Sequence, residues 1–520
     1  VRTLRTLLVL IVVAAFALLA LRAYNSLGGP ALEPWHTYVP TELRADELDH
    51  ADWVRYLAQE NVIMDQVRTE VTGKLPPEAR VPTNRYYRES PVFPARFKQD
   101  WNRSYLMEPK GAPRGVVVLL HGLTDSPYSL RHVAKRYVDH GFVAVGIRLP
   151  GHGTVPAGLT EVRWEDWMAA TRLAVREARR RVPAPAPLHL VGFSNGGALA
   201  MKYSLDALDD PALPRADRIV LLTPMIGITR FAQFAGLAGL PAVLPAFARA
   251  AWISVVPEFN PFKYNSFPVS AARQSFRLTD VLQAELQRAA RASRRSALPP
   301  VLTFQSVLDF TVSTPAIINA LYSNLPDNGS EIVLFDVNRS LKFSPLLRSS
   351  SYVAVERLAP TTPQPYRFTV ITTDGNSDAT VERSIAPGEL KAKVRPLGLP
   401  YPPGIASLSH IAIPIPMDDP LYGMQPDPAT KADYGFNLGT MSARGERGAL
   451  LVDQDFLARL PSNPFFPYVL RRIDEVITQP SGPSGRNIAA TGSTGVPVRL
   501  EAVLSTLRPA DSEPQPFAGP

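Results

Sequence analysis

The stretch Gly192-Phe193-Ser194-Asn195-Gly196-Gly197 decides how the rest of the chain is read. It follows the apolar run Leu188-His189-Leu190-Val191 and precedes a strong helix former, Ala198-Leu199-Ala200-Met201-Lys202-Tyr203. That order predicts a strand, a sharp turn and a helix, with Ser194 at the tip of the turn. Gly192 and Gly196 let the backbone turn tightly, so the serine can stand exposed in a strained conformation. By itself the hexapeptide also fits a plain glycine-rich strand-to-helix turn, and the surrounding sequence separates the two readings.

Outward from this turn the chain alternates between two periodicities. Residues 116–120 form a continuous run of valine and leucine, which predicts a strand buried on both faces. Ser126-Pro127 supplies a cap and an N1 proline for a helix that closes at Gly141. Further strands are predicted at 142–147, 188–191 and 219–222, with helices at 164–182 and 195–208. After a break, a strand at 301–307, a helix at 314–325 and a strand at 332–335 resume the pattern. Strands alternating with helices predict an α/β fold: a mostly parallel sheet flanked by helices, with active loops at the C-terminal ends of the strands.

Two stretches interrupt the alternation. Residues 225–298 hold apolar helical runs (231–247) and an aromatic, proline-rich segment (252–267), which predicts a helical insertion above the sheet. Residues 338–409 form a second long irregular excursion containing one predicted strand, 366–372. The domain reading is an N-terminal segment, 1–27, and a linker and helical pre-domain, 28–114. The main domain follows at 115–478, and then a Pro/Gly/Ser/Thr-rich tail, 479–520, predicted to be disordered. The pre-domain has helical periodicity at 41–71, with Thr41 as N-cap, and is expected to pack on the main domain.

A serine hydroxyl is a weak nucleophile at neutral pH. It needs a general base, a carboxylate that orients the base, and donors for the oxyanion. His121-Gly122-Leu123 follows the strand ending at Leu120, so the Leu123 N–H can point toward Ser194. The Asn195 N–H, at the head of the next helix, is the second donor. His121 reads as a histidine held in its own tight turn, with the base as the lesser reading. Asp309 lies just past the strand at 301–307 and is the candidate acid, and Asp336, one strand later, is the reserve. Of eight histidines, only His410 satisfies the chain order serine, acid, histidine. His152, in the glycine loop Leu149-Pro150-Gly151-His152-Gly153-Thr154, is the alternative base near the site.

This set resembles the α/β-hydrolase superfamily, and within it the monoacylglycerol lipase, carboxylesterase and serine-aminopeptidase-like group. The residues that carry the resemblance are HGLTDSPYS from 121, RLPGHGT from 148, Trp164-Glu165-Asp166-Trp167, GFSNGG from 192 and LDFTV from 308. The resemblance implies an α/β-hydrolase fold, with the insertion after Pro224 in the place of a cap over an acyl pocket. It is strong over 116–222 and moderate over 300–335. Residues 1–110, the second excursion and the tail have no counterpart in it.

Composition narrows the remaining classes. The chain has no cysteine, which excludes disulfides, thiolate metal sites and a cysteine nucleophile. Its net charge of +8 comes from arginine runs at 176–181 and 288–295. No aromatics interleave these runs, so they read as solvated helix faces and no nucleic-acid partner is expected. No metal cluster or phosphate-cradling motif appears, so no metal or cofactor is implied. At the N-terminus, Arg2 and Arg5 precede an apolar run, 6–21, that ends at Arg22. It reads as an uncleaved signal anchor, or else as a removed signal peptide with Ala15-Phe16-Ala17 as cleavage site, or as a buried helix. On the first two readings the remainder is exported, either held at the membrane or secreted.

The leading expectation is an exported serine hydrolase acting on acyl esters, its small-molecule substrate accommodated by the apolar stripe Phe231, Phe234, Leu237, Leu240, Leu244, Phe247 and Trp252. The same stripe also fits plain helix packing. Peptidase and thioesterase activities use the same residues. A catalytically inactive membrane-bound scaffold is the alternative of another class.

Overall fold

The computed structural model describes residues 2–227, 240–243, 245–292, 294–340, 344–374, 378–431, 437–441 and 459–479. The described elements all lie within one compact unit, residues 1–481. The expectations for Phe231, Phe234, Leu237 and Leu244, and for the tail from 480 onward, lie outside the described residues.

Twelve strands are described: β1 (Tyr105–Met107), β2 (Gly115–Leu120), β3 (Phe142–Ile147), β4 (Leu188–Phe193), β5 (Arg218–Leu222), β6 (Trp252–Ser254), β7 (Phe267–Pro268), β8 (Val301–Ser306), β9 (Glu331–Phe335), β10 (Arg367–Thr373), β11 (Ala379–Ile385) and β12 (Lys393–Pro400). Ten form one sheet in the order β1-β3-β2-β4-β5-β8-β9-β10-β11-β12, and β6 and β7 form a separate ribbon. From β3 to β10 every neighbouring pair is parallel. The edge strands β1, β11 and β12 are antiparallel.

The longer helices are α1 (Arg2–Leu27), α2 (Trp53–Glu70), α3 (Arg131–Asp139), α4 (Trp164–Arg181), α5 (Asn195–Asp209), α6 (Val269–Arg291) and α7 (Phe466–Thr478). Alternate residues of β2 enter opposite cores. Val116, Val118 and Leu120 join Trp167, Leu199 and Leu282 on the face of α4, α5 and α6. Val117 and Leu119 join Val133, Tyr137 and Ile473 on the face of α3 and α7. The continuous valine-leucine run is what a strand covered on both faces requires. Each such side chain contributes about 1.5–3 kcal/mol by leaving water.

The structure refines several expectations. The helix expected to begin at Pro127 opens as a 3-10 turn, Pro127–Leu130, before α3. The one expected at 314–325 is broken into an α turn, a π segment (Ile317–Leu321) and a 3-10 turn. The last part of the expected insertion, α6, buries Leu278, Leu282 and Leu286 in the main core and so belongs to the flanking layer. The second excursion contributes β10, β11 and β12 to the main sheet. Residues 28–114 lie within the first unit and share its core: Leu43, Leu48, Trp53 and Tyr56 pack in the same cluster as Val116, Val118 and Leu120. Trp35, Leu75 and Tyr86 meet Val155 and Trp252.

Along α1 the side chains of Leu4, Leu7, Val9, Leu10 and Val13 are exposed. The Arg22 Nη2 donates to Trp252 O (2.5 Å). Among the described residues, no helix is long and apolar enough to cross a membrane. Nine side chains within α1, among them Leu8, Ile11, Val12, Phe16, Leu18 and Leu19, lie outside the described residues.

Candidate active site

Ser194 sits at the turn between β4 and α5 with φ +53° and ψ −114°. A non-glycine residue held there is strained by about 1–3 kcal/mol and persists only where its surroundings enforce it. They do so here. The Ser194 N–H donates to Leu222 O (3.0 Å), and its carbonyl accepts from Gly197 N–H (3.0 Å) and Met225 N–H (2.9 Å). The glycines of the turn are required by close approach. A Cβ at Gly196 would lie 1.9 Å from Leu120 O, and one at Gly192 would lie 2.4 Å from Gly196 O. The sequence pattern around Ser194 is therefore set by backbone packed against backbone.

Parallel register places the neighbouring turn beside it. Leu120, at the end of β2, pairs with Gly192. The chain after it, His121 to Asp125, then turns across the serine, and a Cβ at Gly122 would lie 3.3 Å from Ser194 Cβ. The first N–H groups of α5, those of Asn195 and Gly196, have no acceptor within the helix, as at every helix start. Both polar atoms of the Asn195 side chain are buried without a partner among the described residues.

His121 has both ring nitrogens engaged. Nε2 accepts from Leu149 N–H (3.0 Å) and Nδ1–H donates to Gly122 O (2.9 Å). Burial, opposed by that backbone contact, pushes its pKa down to about 3. The ring is a neutral brace between two loops. His152 packs edge-on against His121 at 5.0 Å and lies beside Trp167, fully buried, with Nδ1 on Pro150 O (3.0 Å). Burial first, and His121 second, hold it well below its ordinary value.

Asp309 and His410 meet although 101 positions separate them: His410 Nδ1 donates to Asp309 Oδ2 at 2.8 Å. The carboxylate is fully enclosed. Its Oδ1 accepts from Thr311 N–H (2.7 Å) and Val312 N–H (2.9 Å), and its Oδ2 also accepts from Gln305 Nε2 (3.1 Å). Burial pushes this carboxyl upward, but His410 and the two backbone donors together pull it below the usual range. The His410 ring lies 5.4 Å from the ring of Phe193, the residue before the serine. The reserve acid is engaged elsewhere. Asp336 accepts from Arg339 Nε (2.6 Å) and Thr372 Oγ1 (2.8 Å).

The path from Asp309 to His410 explains the long spacing. After β9 the chain adds β10, β11 and β12 to the sheet and then returns across the strand ends. Asn338 N–H donates to Ala406 O (2.7 Å), and Ser306 Oγ donates to Leu408 O (2.8 Å), two residues before His410. The strand that carries the acid thus also fixes the loop that carries the histidine.

Two residues that shape the site, Glu42 and Glu60, carried no signal in the sequence. Arg148 is fully buried and pairs with Glu42 through two hydrogen bonds (2.7 and 3.0 Å) and with Glu60 (3.3 Å). Glu42 also accepts from Gly151 N–H (2.8 Å), and Tyr56 donates to Arg148 O. Two carboxylates of the pre-domain therefore clamp the 148–154 loop. In sequence they look like ordinary charges on an amphipathic segment, and only their pairing with a buried arginine distinguishes them.

Residues 111–336 match the family model described as serine aminopeptidase, S33. The chain is similar to a thermostable monoacylglycerol lipase of Bacillus sp. (strain H-257), 26% identical over 218 residues, covering 42% of this chain and 79% of the relative. Among solved structures it is similar to the monoacylglycerol lipase of Paleococcus ferrophilus (18% identity, 45% of this chain and 88% of that one, TM-score 0.34). It is also similar to a soluble variant of the monoglyceride lipase of Saccharomyces cerevisiae (15% identity, 44% and 80%, TM-score 0.34).

Proposed function

We propose that this chain belongs to the α/β-hydrolase superfamily through residues 111–336 and is a serine hydrolase that cleaves carboxylic esters. The observation that carries the reading is the Asp309–His410 contact of 2.8 Å, formed beside the strained Ser194 turn. Asp309 accepts a hydrogen bond from His410 Nδ1–H, which keeps that proton on Nδ1 and leaves Nε2 as the base. Ser194 Oγ gives its proton to Nε2 and attacks the acyl carbonyl. The N–H groups of Leu123 and Asn195 stabilise the oxyanion, with the α5 N-terminus adding partial positive charge. His410 then protonates the leaving alcohol, and an acyl-enzyme remains. Water, deprotonated by His410, releases the acid and restores Ser194.

We also infer that α1 anchors the chain in a membrane with the hydrolase unit outside the cytoplasm. Arg2 and Arg5 flank its apolar run on one side, and several of its apolar side chains are exposed.

Fluorophosphonate labelling of the intact chain, with mapping of the adduct, tests the reaction class. The expected adduct is on Ser194, with turnover of p-nitrophenyl esters, and Ser194→Ala loses both while staying folded. A Ser194 adduct with turnover of aminoacyl anilides and none of esters would make it a peptidase, the reading that the family description favours. A folded chain without an adduct, or hydrolysis unaltered in Ser194→Ala, would refute the mechanism.

A further inference from the structure

The turn 121–125 beside Ser194 and the loop 148–154 follow neighbouring parallel strands, β2 and β3, and a single residue from the segment between β6 and β7 joins them. The Tyr264 backbone N–H donates to Thr124 O (2.7 Å), in the turn 121–125. Its hydroxyl donates to Gly151 O (3.0 Å) and accepts from Thr154 N–H (2.7 Å), both in the loop 148–154. The Thr154 hydroxyl lies 3.2 Å from the same oxygen. A phenol has one proton to donate, and it is directed at a carbonyl that accepts it. Burial, which raises the phenol pKa, keeps that proton in place. The preceding residue reinforces the link: the Lys263 ammonium stands 3.8 Å from Asp125 Oδ1, at the end of the same turn.

The turn needs this support. Thr124 has φ +59°, a conformation that a β-branched residue holds only when neighbours impose it. The carbonyl that Tyr264 restrains belongs to that strained residue. Leu123, whose N–H is assigned to the oxyanion, immediately precedes it. Oxyanion donors work at about 2.7–3.1 Å from the developing charge, and misplacement by about 1 Å can cost ~100-fold in rate.

We propose that Tyr264 is a positioning residue for the oxyanion hole: by tying the 121–125 turn to the 148–154 loop it sets the direction of the Leu123 N–H. The proposal rests on the serine-hydrolase reading given above. In Tyr264→Phe the ring and the backbone N–H remain, while the hydroxyl link to the second loop is lost. The turn then keeps one of its two tethers through this residue.

The experiment compares wild type, Tyr264→Phe and Lys263→Met as full chains, with kcat expressed per fluorophosphonate-titrated site so that misfolded protein does not count. Affinity for a trifluoromethyl ketone, which adds Ser194 as a tetrahedral hemiketal, is measured alongside. Tyr264→Phe is expected to lower kcat about tenfold with KM within about twofold, and to weaken ketone binding by a similar factor. Lys263→Met keeps the hydroxyl and is expected to lose about threefold, because the 3.8 Å pair is loose. The proposal is overturned if kcat per site in Tyr264→Phe stays within about twofold of wild type, or if kcat falls while ketone affinity is unchanged. Should Tyr264→Phe not fold, an unchanged kcat per site in Lys263→Met overturns it. A wild-type chain that does not label at Ser194 refutes the underlying reading instead, and this one with it.

Discussion

Replacing Arg148 by methionine should cost a large part of the stability of the fold, although the change keeps an unbranched apolar stem. Arg148 is fully buried, and Glu42 and Glu60 beside it are nearly so. Its guanidinium makes two bonds to Glu42 (2.7 and 3.0 Å) and contacts Glu60 (3.3 Å) and the carbonyl of His152 (3.0 Å). In Arg148→Met both carboxylates stay enclosed without their cation. Removing one partner of a buried ion pair costs about 3–5 kcal/mol, and two stranded carboxylates place this case at the upper end. Domain stabilities are about 5–15 kcal/mol, so a third or more of the total is at stake. The assay is urea unfolding followed by circular dichroism, with Arg148→Met/Glu42→Gln/Glu60→Gln as companion. The companion removes both stranded charges and should recover most of the loss. A difference below about 1 kcal/mol between Arg148→Met and wild type would refute the reasoning, as would a companion no more stable than the single variant.

Two further outcomes are expected. His410→Ala should lower ester turnover nearly as far as Ser194→Ala does, while His152→Ala should be milder, because both His152 ring contacts face the interior; the reverse order, read from kcat at pH 7, would move the base to His152. Deleting residues 1–27 should shift the chain from the carbonate-washed membrane fraction to the soluble one, and an undeleted chain already in the soluble fraction would refute the anchor.

The strands that carry the site were legible because a parallel sheet buried on both faces leaves uninterrupted apolar runs. Residues 116–120, 142–147 and 219–222 correspond to β2, β3 and β5 to within one residue. The outer strands were less legible. In β11 the buried positions are the polar Thr380 and Glu382, and β12 carries Pro396 and Pro400, which an edge strand tolerates and a central strand does not. A run of mixed polarity with prolines reads as a loop until a neighbouring strand supplies its hydrogen bonds.

What the sequence determined by itself was local. Gly192 and Gly196 dictate a tight turn around Ser194 because a Cβ at Gly196 would meet Leu120 and one at Gly192 would meet Gly196. The helix after Ser194 and the HG turn after β2 follow from chain order along a parallel sheet. The tertiary structure decided the rest, because it depends on contacts that leave no periodic trace. It alone brings His410 to Asp309 across 101 positions, by sending the chain through four strands, β9 to β12, and back over the ends of β8 and β9. It also turns Glu42, Glu60 and Tyr264 from ordinary residues into the braces of the loops around Ser194. A buried ion pair or a bridging phenol is defined by its partners, and those partners lie about 90 to 140 positions away along the chain.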